Sequence, residues 1–215
     1  MKLLRDSRLY TFVDAAYLHG RDPADVARGL CDGGSDLIQW RAKGATADEV
    51  RRTAEVLLPI TEAAGVGLVI NDHAGLAVDI GAPWLHLGQE DFFDAGFTEA
   101  SQVTGSPPRL WLGLSTHTPE QAERAIRAAP DYIAVGPVFA TPTKPGRAAV
   151  TLEYVRWAAG HVRLPWFAIG GITLDNLDSV LDAGATRVCV VSAILNAPDV
   201  AKACQQFRKR LPSAP

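Results

Sequence analysis

Asp131-Tyr-Ile-Ala-Val-Gly-Pro-Val-Phe-Ala-Thr-Pro-Thr-Lys-Pro-Gly146 is an apolar strand that runs straight into a loop built like an anion cradle. Gly136 and Gly146 leave backbone room, while Thr141, Thr143 and Lys144 offer two hydroxyls and an ammonium. Proline at 137, 142 and 145 removes much of the loop's freedom in advance, so less entropy is lost when the donors close on a ligand. A strand that delivers polar groups at its C-terminal end is a unit of α/β architecture. The rest of the chain repeats it.

Apolar or β-branched runs at 9–14, 36–41, 67–70, 84–87, 110–114, 132–135, 165–169 and 187–191 alternate with Ala-rich amphipathic runs near 23–32, 47–64, 74–80, 98–104, 119–129, 152–160, 174–183 and 198–211. This is the pattern of parallel strands joined by crossover helices. Helix starts are signalled by Asp22-Pro23, by Thr118-Pro119 with Gln121, and by Thr173 before Leu174 with Asn176. Ala64-Gly65, Gly81-Ala82 and Gly184-Ala185 each mark a helix handing over to the next strand. Eight such cycles, without a Pro/Ser-rich linker or low-complexity tract, predict one α/β domain over residues 1–215, a single (β/α)8 TIM barrel. A doubly wound sheet is the alternative, since strand count alone does not prove closure.

The chain has 215 residues, 47% of them hydrophobic, enough to bury a sizeable core. Lys plus Arg number 21 against 24 Asp plus Glu, a formal charge of −3, so nothing draws the whole molecule to nucleic acid or to an acidic membrane. Positive charge must act locally, at a site. Cys31, Cys189 and Cys204 lack paired or metal-type spacing and read as reduced, structural thiols. Met-Lys-Leu-Leu-Arg-Asp at the start becomes charged too soon for a signal peptide, and no run approaches a membrane span; a cytoplasmic protein is expected.

A barrel gathers its reactive groups at the C-terminal ends of its strands, and the polar residues fall there strand after strand. Asp72 and Asp91 end neighbouring strands, where two carboxylates with water and substrate phosphates are a usual way to hold Mg²⁺. Glu90 is the weaker ligand, pointing away from Asp91 if that segment is extended. Gln39, Arg41 and Lys43 lie at i, i+2 and i+4 and face one side of an extended strand end; with Lys144 they would surround a diphosphate. Gly170-Gly171 and Val191-Ser192 follow the last two strands and suggest a second, monophosphate site, with Thr141 and Thr143 reaching it from the side. His86 and His117 read equally as proton carriers or as packed rings. His73 is placed on the rim or at a helix start, and His19 and His161 in solvent. Trp84, Trp111 and Trp166 read as core, Trp157 as a helix face, and Trp40 as facing outward onto the helices. The segment 91–108, with Phe92, Phe93 and Phe97, reads as a mobile cover or as an apolar patch beneath a helix. No Cys/His metal cluster, nucleophile elbow, Walker loop or dinucleotide fingerprint is present.

Taken together, Gln39-Trp-Arg-Ala-Lys43, Asn71-Asp72, His86-Leu-Gly-Gln-Glu-Asp91, Ser115-Thr-His-Thr118, Gly136-Pro-Val-Phe-Ala-Thr-Pro-Thr-Lys-Pro-Gly146 and Ala168-Ile-Gly-Gly-Ile-Thr173 resemble the thiamine-phosphate synthase (thiamine-phosphate pyrophosphorylase) family. The resemblance runs from about Leu9 to about Leu195 in the same order. It implies a transferase that condenses hydroxymethylpyrimidine diphosphate with hydroxyethylthiazole phosphate, giving thiamine phosphate and pyrophosphate. It also implies Mg²⁺ on Asp72 and Asp91, and diphosphate on Arg41, Lys43, Asn71 and Lys144. Gln39 and Ser115 would lie in the pyrimidine-diphosphate pocket, and Thr141, Thr143, Gly171, Val191 and Ser192 would hold the thiazole phosphate. Arg41, Lys43, Ser115 and Lys144 form the catalytic set. Small phosphorylated substrates are the expected partners, with no nucleic acid and no membrane, and a homodimer is compatible with barrels of this kind. The chain departs from the family's usual pattern at Ala42, where a glutamate is common, and at His73, often an arginine. A thiazole tautomerase-like isomerase and a non-catalytic sensor of thiamine phosphate are the competing readings.

Overall fold

The computed structural model describes residues 3–105, 110–141 and 149–213. Eight strands, β1 (Leu9–Asp14), β2 (Leu37–Arg41), β3 (Gly67–Asn71), β4 (Trp84–Leu87), β5 (Trp111–Thr116), β6 (Tyr132–Val135), β7 (Trp166–Ile169) and β8 (Val188–Cys189), pair in parallel in chain order. β8 returns to β1, with Leu9 opposite Val188 and Tyr10 opposite Cys189, so the sheet closes. The fold is a (β/α)8 barrel, and the doubly wound alternative is set aside.

Around it lie α1 (Pro23–Asp32), α2 (Ala47–Ala63), α3 (Ala74–Ile80), α4 (Ser101–Thr104), α5 (Pro119–Arg127), α6 (Thr151–His161), α7 (Leu177–Asp182), α8 (Ser192–Leu195) and α9 (Val200–Arg210). Their starts follow from local chemistry. The Asp22 carboxylate accepts from the Ala24 amide at the head of α1, and Thr118 Oγ1 accepts from the Gln121 amide at the head of α5. Thr46 and Glu49 close a reciprocal capping box on α2. α7 begins at Leu177 rather than near 174. The Asn176 side chain accepts from the Thr173 amide (2.8 Å) and donates to the Gly171 carbonyl (2.9 Å), holding the intervening residues in a turn.

Alternation along the strands sends one set of side chains into the barrel. Tyr10, Trp84, Tyr132 and Phe167 are buried there, with Tyr10–Phe167 ring centroids 5.4 Å apart and Tyr132–Phe167 centroids 5.7 Å apart. Glycine on neighbouring strands makes the space: a Cβ on Gly113 would lie 2.0 Å from the Tyr132 ring, and one on Gly67 would lie 2.6 Å from Trp84 Nε1. These rings fill the lower half of the barrel, so an internal cavity has room only above them, toward the C-terminal strand ends.

Trp40 points outward as expected, its Nε1 donating to the Val50 carbonyl of α2 at 3.1 Å. Trp111 does not join the core: it is 47% exposed at the start of β5, stacked on Trp84, whose ring lies 5.4 Å away. Trp166 is buried, and Trp157 stacks on His161 at 4.8 Å. His161 and His19 are exposed, the latter bonded to Asn196. His73 precedes α3 as its N-cap residue. Phe92 and Phe93 are buried against each other, with Arg124 3.7 Å above the Phe93 ring. That part of the segment after β4 is therefore packed rather than a cover. The three cysteines are free thiols; burial pushes Cys31 up to about 11 and Cys204 up to about 12, in keeping with a structural role. Among the described residues no helix is long and apolar enough to cross a membrane.

Candidate active site

A cavity of about 340 Å³ opens at the C-terminal ends of the strands. Its lining includes every described residue that the sequence placed at the site: Gln39, Arg41, Lys43, Asn71, Asp72, Asp91, Ser115, Thr141, Gly171, Val191 and Ser192. Thr143 and Lys144 lie outside the described residues. His86, His117 and Glu90 also line it.

On the β2–β4 arc, cations and carboxylates meet. Arg41 Nη1 donates to Asp14 Oδ2 at 2.7 Å, with only 13% of the arginine side chain and 1% of the aspartate side chain exposed. Asp14 also accepts from the Ala16 amide at 3.0 Å, so one buried carboxylate caps the turn after β1 and fixes Arg41. Lys43 Nζ is paired with Asp72 Oδ2. Asp72 has φ 67°, a left-handed conformation that aspartate tolerates better than most residues, and its amide donates to the His86 carbonyl at 3.0 Å.

The segment after β4 is not extended. Glu90–Asp94 form one π-helical turn, and the Gly88 amide donates to Asp91 Oδ2 at 3.3 Å. A Cβ on Gly88 would lie 2.6 Å from Asp91 Oδ2 and 3.7 Å from Glu90 Oε2. Both carboxylates therefore approach Gly88, and the expectation that Glu90 points away from Asp91 is corrected; burial of Phe92 and Phe93 favours the helical turn over a continued strand.

The residues fit a hard divalent cation. Asp72 and Asp91 supply oxygen only, the first directly after β3 and the second from the helical turn that follows the neighbouring strand β4, and both line one cavity. Among the described residues no cluster of three or more His, Cys, Asp or Glu would hold an ion unaided, so water and ligand oxygens would have to complete the shell, as is usual for Mg²⁺.

On the opposite arc, Gly170 (φ 106°) and Gly171 (φ 63°) occupy conformations suited to glycine. A Cβ on Gly171 would meet the Ala140 carbonyl at 2.7 Å, so this turn packs directly on the loop that carries Thr141. Val191 immediately precedes α8, whose first residue is Ser192. Between the arcs lies a polar floor. His86 Nε2 is 2.9 Å from Ser115 Oγ, and Gln89 Nε2 donates to the Ser115 carbonyl at 2.6 Å. His117 Nδ1 is 2.5 Å from the Gly136 carbonyl, which only accepts, so that nitrogen carries the proton.

Sequence reasoning missed Asp14, Tyr10 and Tyr132, and placed Gln89 on the rim without a role. Asp14 ends a strand, the same signal that singled out Asp72 and Asp91, and could have been found by it. The tyrosines gave no such signal, because their hydroxyls meet 3.1 Å apart across 122 residues of sequence.

Comparison with known proteins follows the same outline. The family described as thiamine monophosphate synthase matches residues 9–194. The thiamine-phosphate synthase of Thermus thermophilus is 47% identical over 180 residues, 83% of this chain and 84% of that protein. That of Acidothermus cellulolyticus is 45% identical over 215 residues, 98% of each chain. Among solved structures, thiamine phosphate pyrophosphorylase from Pyrococcus furiosus superposes with a TM-score of 0.83 at 28% identity, covering 97% of this chain and 96% of that one.

Proposed function

The chain belongs to the thiamine monophosphate synthase family, and on that premise we propose that it is a transferase joining hydroxymethylpyrimidine diphosphate to hydroxyethylthiazole phosphate, with release of pyrophosphate. The observation that carries this reading is the division of one cavity into two unlike anion ends. Arg41, Lys43, Asn71 and the two aspartates stand on the β2–β4 arc, and Thr141, Gly171, Val191 and Ser192 stand across from them on the β6–β8 arc. A diphosphate with a divalent cation suits the first end. A single phosphate suits the second.

In the reaction, the bond between the pyrimidine methylene carbon and the diphosphate oxygen breaks, and that oxygen keeps the electron pair. The electron-rich aminopyrimidine carries the positive charge left on the carbon, and the thiazole nitrogen donates its lone pair to form the new carbon–nitrogen bond. No proton need be removed, so no general base is required. Arg41, fixed by Asp14, and Lys43 offset the charge gathering on the leaving group. Lys43 exchanges its partner Asp72 for diphosphate oxygen when substrate arrives. Asp72 and Asp91 would hold Mg²⁺, which supplies Lewis-acid neutralisation of diphosphate. The polar floor and the far phosphate end keep the two reacting atoms in line, where much of the barrier is removed by orientation. Lys144 and Thr143 complete the two ends in this reading.

Incubating the protein with both substrates and Mg²⁺, and following phosphorus resonances, tests the reading. Pyrophosphate and thiamine phosphate should appear in equal amounts. Isomerised thiazole phosphate without pyrophosphate would replace it with an isomerase.

A further inference from the structure

We infer that Tyr10 and Tyr132 are positioning residues that set the hydrogen-bond polarity of the cavity floor, so that Ser115 donates to a ligand and Gln39 accepts from it. Five buried side chains from five strands form one chain beneath the cavity. Gln39 Nε2 donates to Tyr10 Oη at 2.5 Å, Tyr10 Oη lies 3.1 Å from Tyr132 Oη, Tyr132 Oη lies 3.1 Å from His86 Nδ1, and His86 Nε2 lies 2.9 Å from Ser115 Oγ. None of the five is more than 8% exposed. Burial pushes both phenols well above their ordinary range, so each keeps its single proton.

Counting donors then orients the chain. Tyr10 accepts from the Gln39 amide and has one hydrogen to give, which goes to Tyr132. Tyr132 gives its own to His86 Nδ1. That nitrogen is thereby an acceptor, and the neutral ring carries its proton on Nε2, which donates to Ser115 Oγ. The Ser115 hydroxyl hydrogen is left for the cavity, and so is the carbonyl oxygen of Gln39, whose nitrogen is engaged by Tyr10. A floor with one acceptor and one donor matches a heterocycle edge that sets an amino group beside an unprotonated ring nitrogen. It opposes the oxo analogue, whose ring N–H and carbonyl reverse the pattern. Misaligned buried donors and acceptors should cost that analogue roughly a hundredfold in kcat/KM. The identity of the heterocycle rests on the proposed function; the polarity does not.

Nitrogen NMR of the full chain labelled at its five histidines reads the polarity without substrate, with His86→Gln assigning the resonance. The expected result is a neutral His86 protonated on Nε2. Tyr132→Phe should release this preference and give mixed tautomers, whereas Tyr10→Phe, one link further away, should preserve it. Tyr10→Phe should instead raise KM for the pyrimidine diphosphate about tenfold and leave KM for the thiazole phosphate unchanged. A wild-type His86 protonated on Nδ1, or a tautomer unmoved by Tyr132→Phe, would overturn the inference whether or not that variant is active. The expected tautomers in a wild-type protein that releases no pyrophosphate would uphold the polarity and remove only the thiamine reading.

Discussion

Asp72 holds a left-handed backbone conformation at the end of β3, with Lys43 on its carboxylate, while Asp91 takes the Gly88 amide from inside a helical turn. Neither contact uses up a carboxylate, which can accept several hydrogen bonds, so both aspartates retain oxygen for a cation. Replacing either with Asn keeps the shape and removes the charge. Asp72→Asn and Asp91→Asn are each expected to lower Mg²⁺-dependent kcat/KM by at least about a hundredfold with an unchanged circular dichroism spectrum; near-normal rates in both would exclude the metal assignment. Single residues at strand ends were the most legible part of the site, because barrel geometry says where chemistry gathers. Asp14 escaped because an aspartate before a turn reads first as a cap, a job it also performs. Partnerships such as Tyr10 with Tyr132 depend on closure of the sheet and leave no local trace.

Elements were legible where the sequence carries its own punctuation. α1 and α5 start where their caps predict and α2 starts at Ala47 as its periodicity predicts, whereas α7 starts late because Asn176 serves a turn first. The turn at Glu90–Asp94 was hidden, since it follows β4 without proline or a cap and is decided by the burial of two phenylalanines. α2 packs on β2, the strand that supplies Gln39 and Arg41 and leads into Lys43, and its head is tied by Thr46 and Glu49. Hydrogen bonds from the Thr46 backbone and then its side chain hold the Glu49 carboxyl below its ordinary value of 4.5. A depressed folded-state value contributes stability above the unfolded value and loses it as pH falls through the folded one. Glu49→Ala should therefore be less stable than wild type at neutral pH in urea titrations. The difference should fade as pH drops below 4.5.

Across the whole molecule, the eight repeated units made a barrel legible, but strand count alone did not prove closure of the sheet, since eight strands also suit an open fold. The structure shows what fastens the closing edge. Asp36, with its side chain fully buried, accepts from the Arg8 amide (2.7 Å), the Leu9 amide (3.0 Å) and Arg208 Nη1 of α9 (3.0 Å). One carboxylate thus joins the entry of β1, the entry of β2 and the last helix. Asp36→Ala would leave two amides and a guanidinium short of a partner, and is expected to destabilise the protein by about 3 kcal/mol, seen as a lower urea midpoint. The same closure sets the β2–β4 and β6–β8 arcs across one cavity, the arrangement on which the proposed transfer depends.

Diffraction from crystals grown with pyrophosphate and Mn²⁺ in place of Mg²⁺ tests that arrangement most directly, because the anomalous signal locates the ion independently of any assay. The expected peak lies between the carboxylates of Asp72 and Asp91, with pyrophosphate against Arg41 and with Lys43 moved from Asp72 onto the anion. Pyrophosphate bound elsewhere, or no ion between carboxylates that turn away from the cavity, would contradict the account.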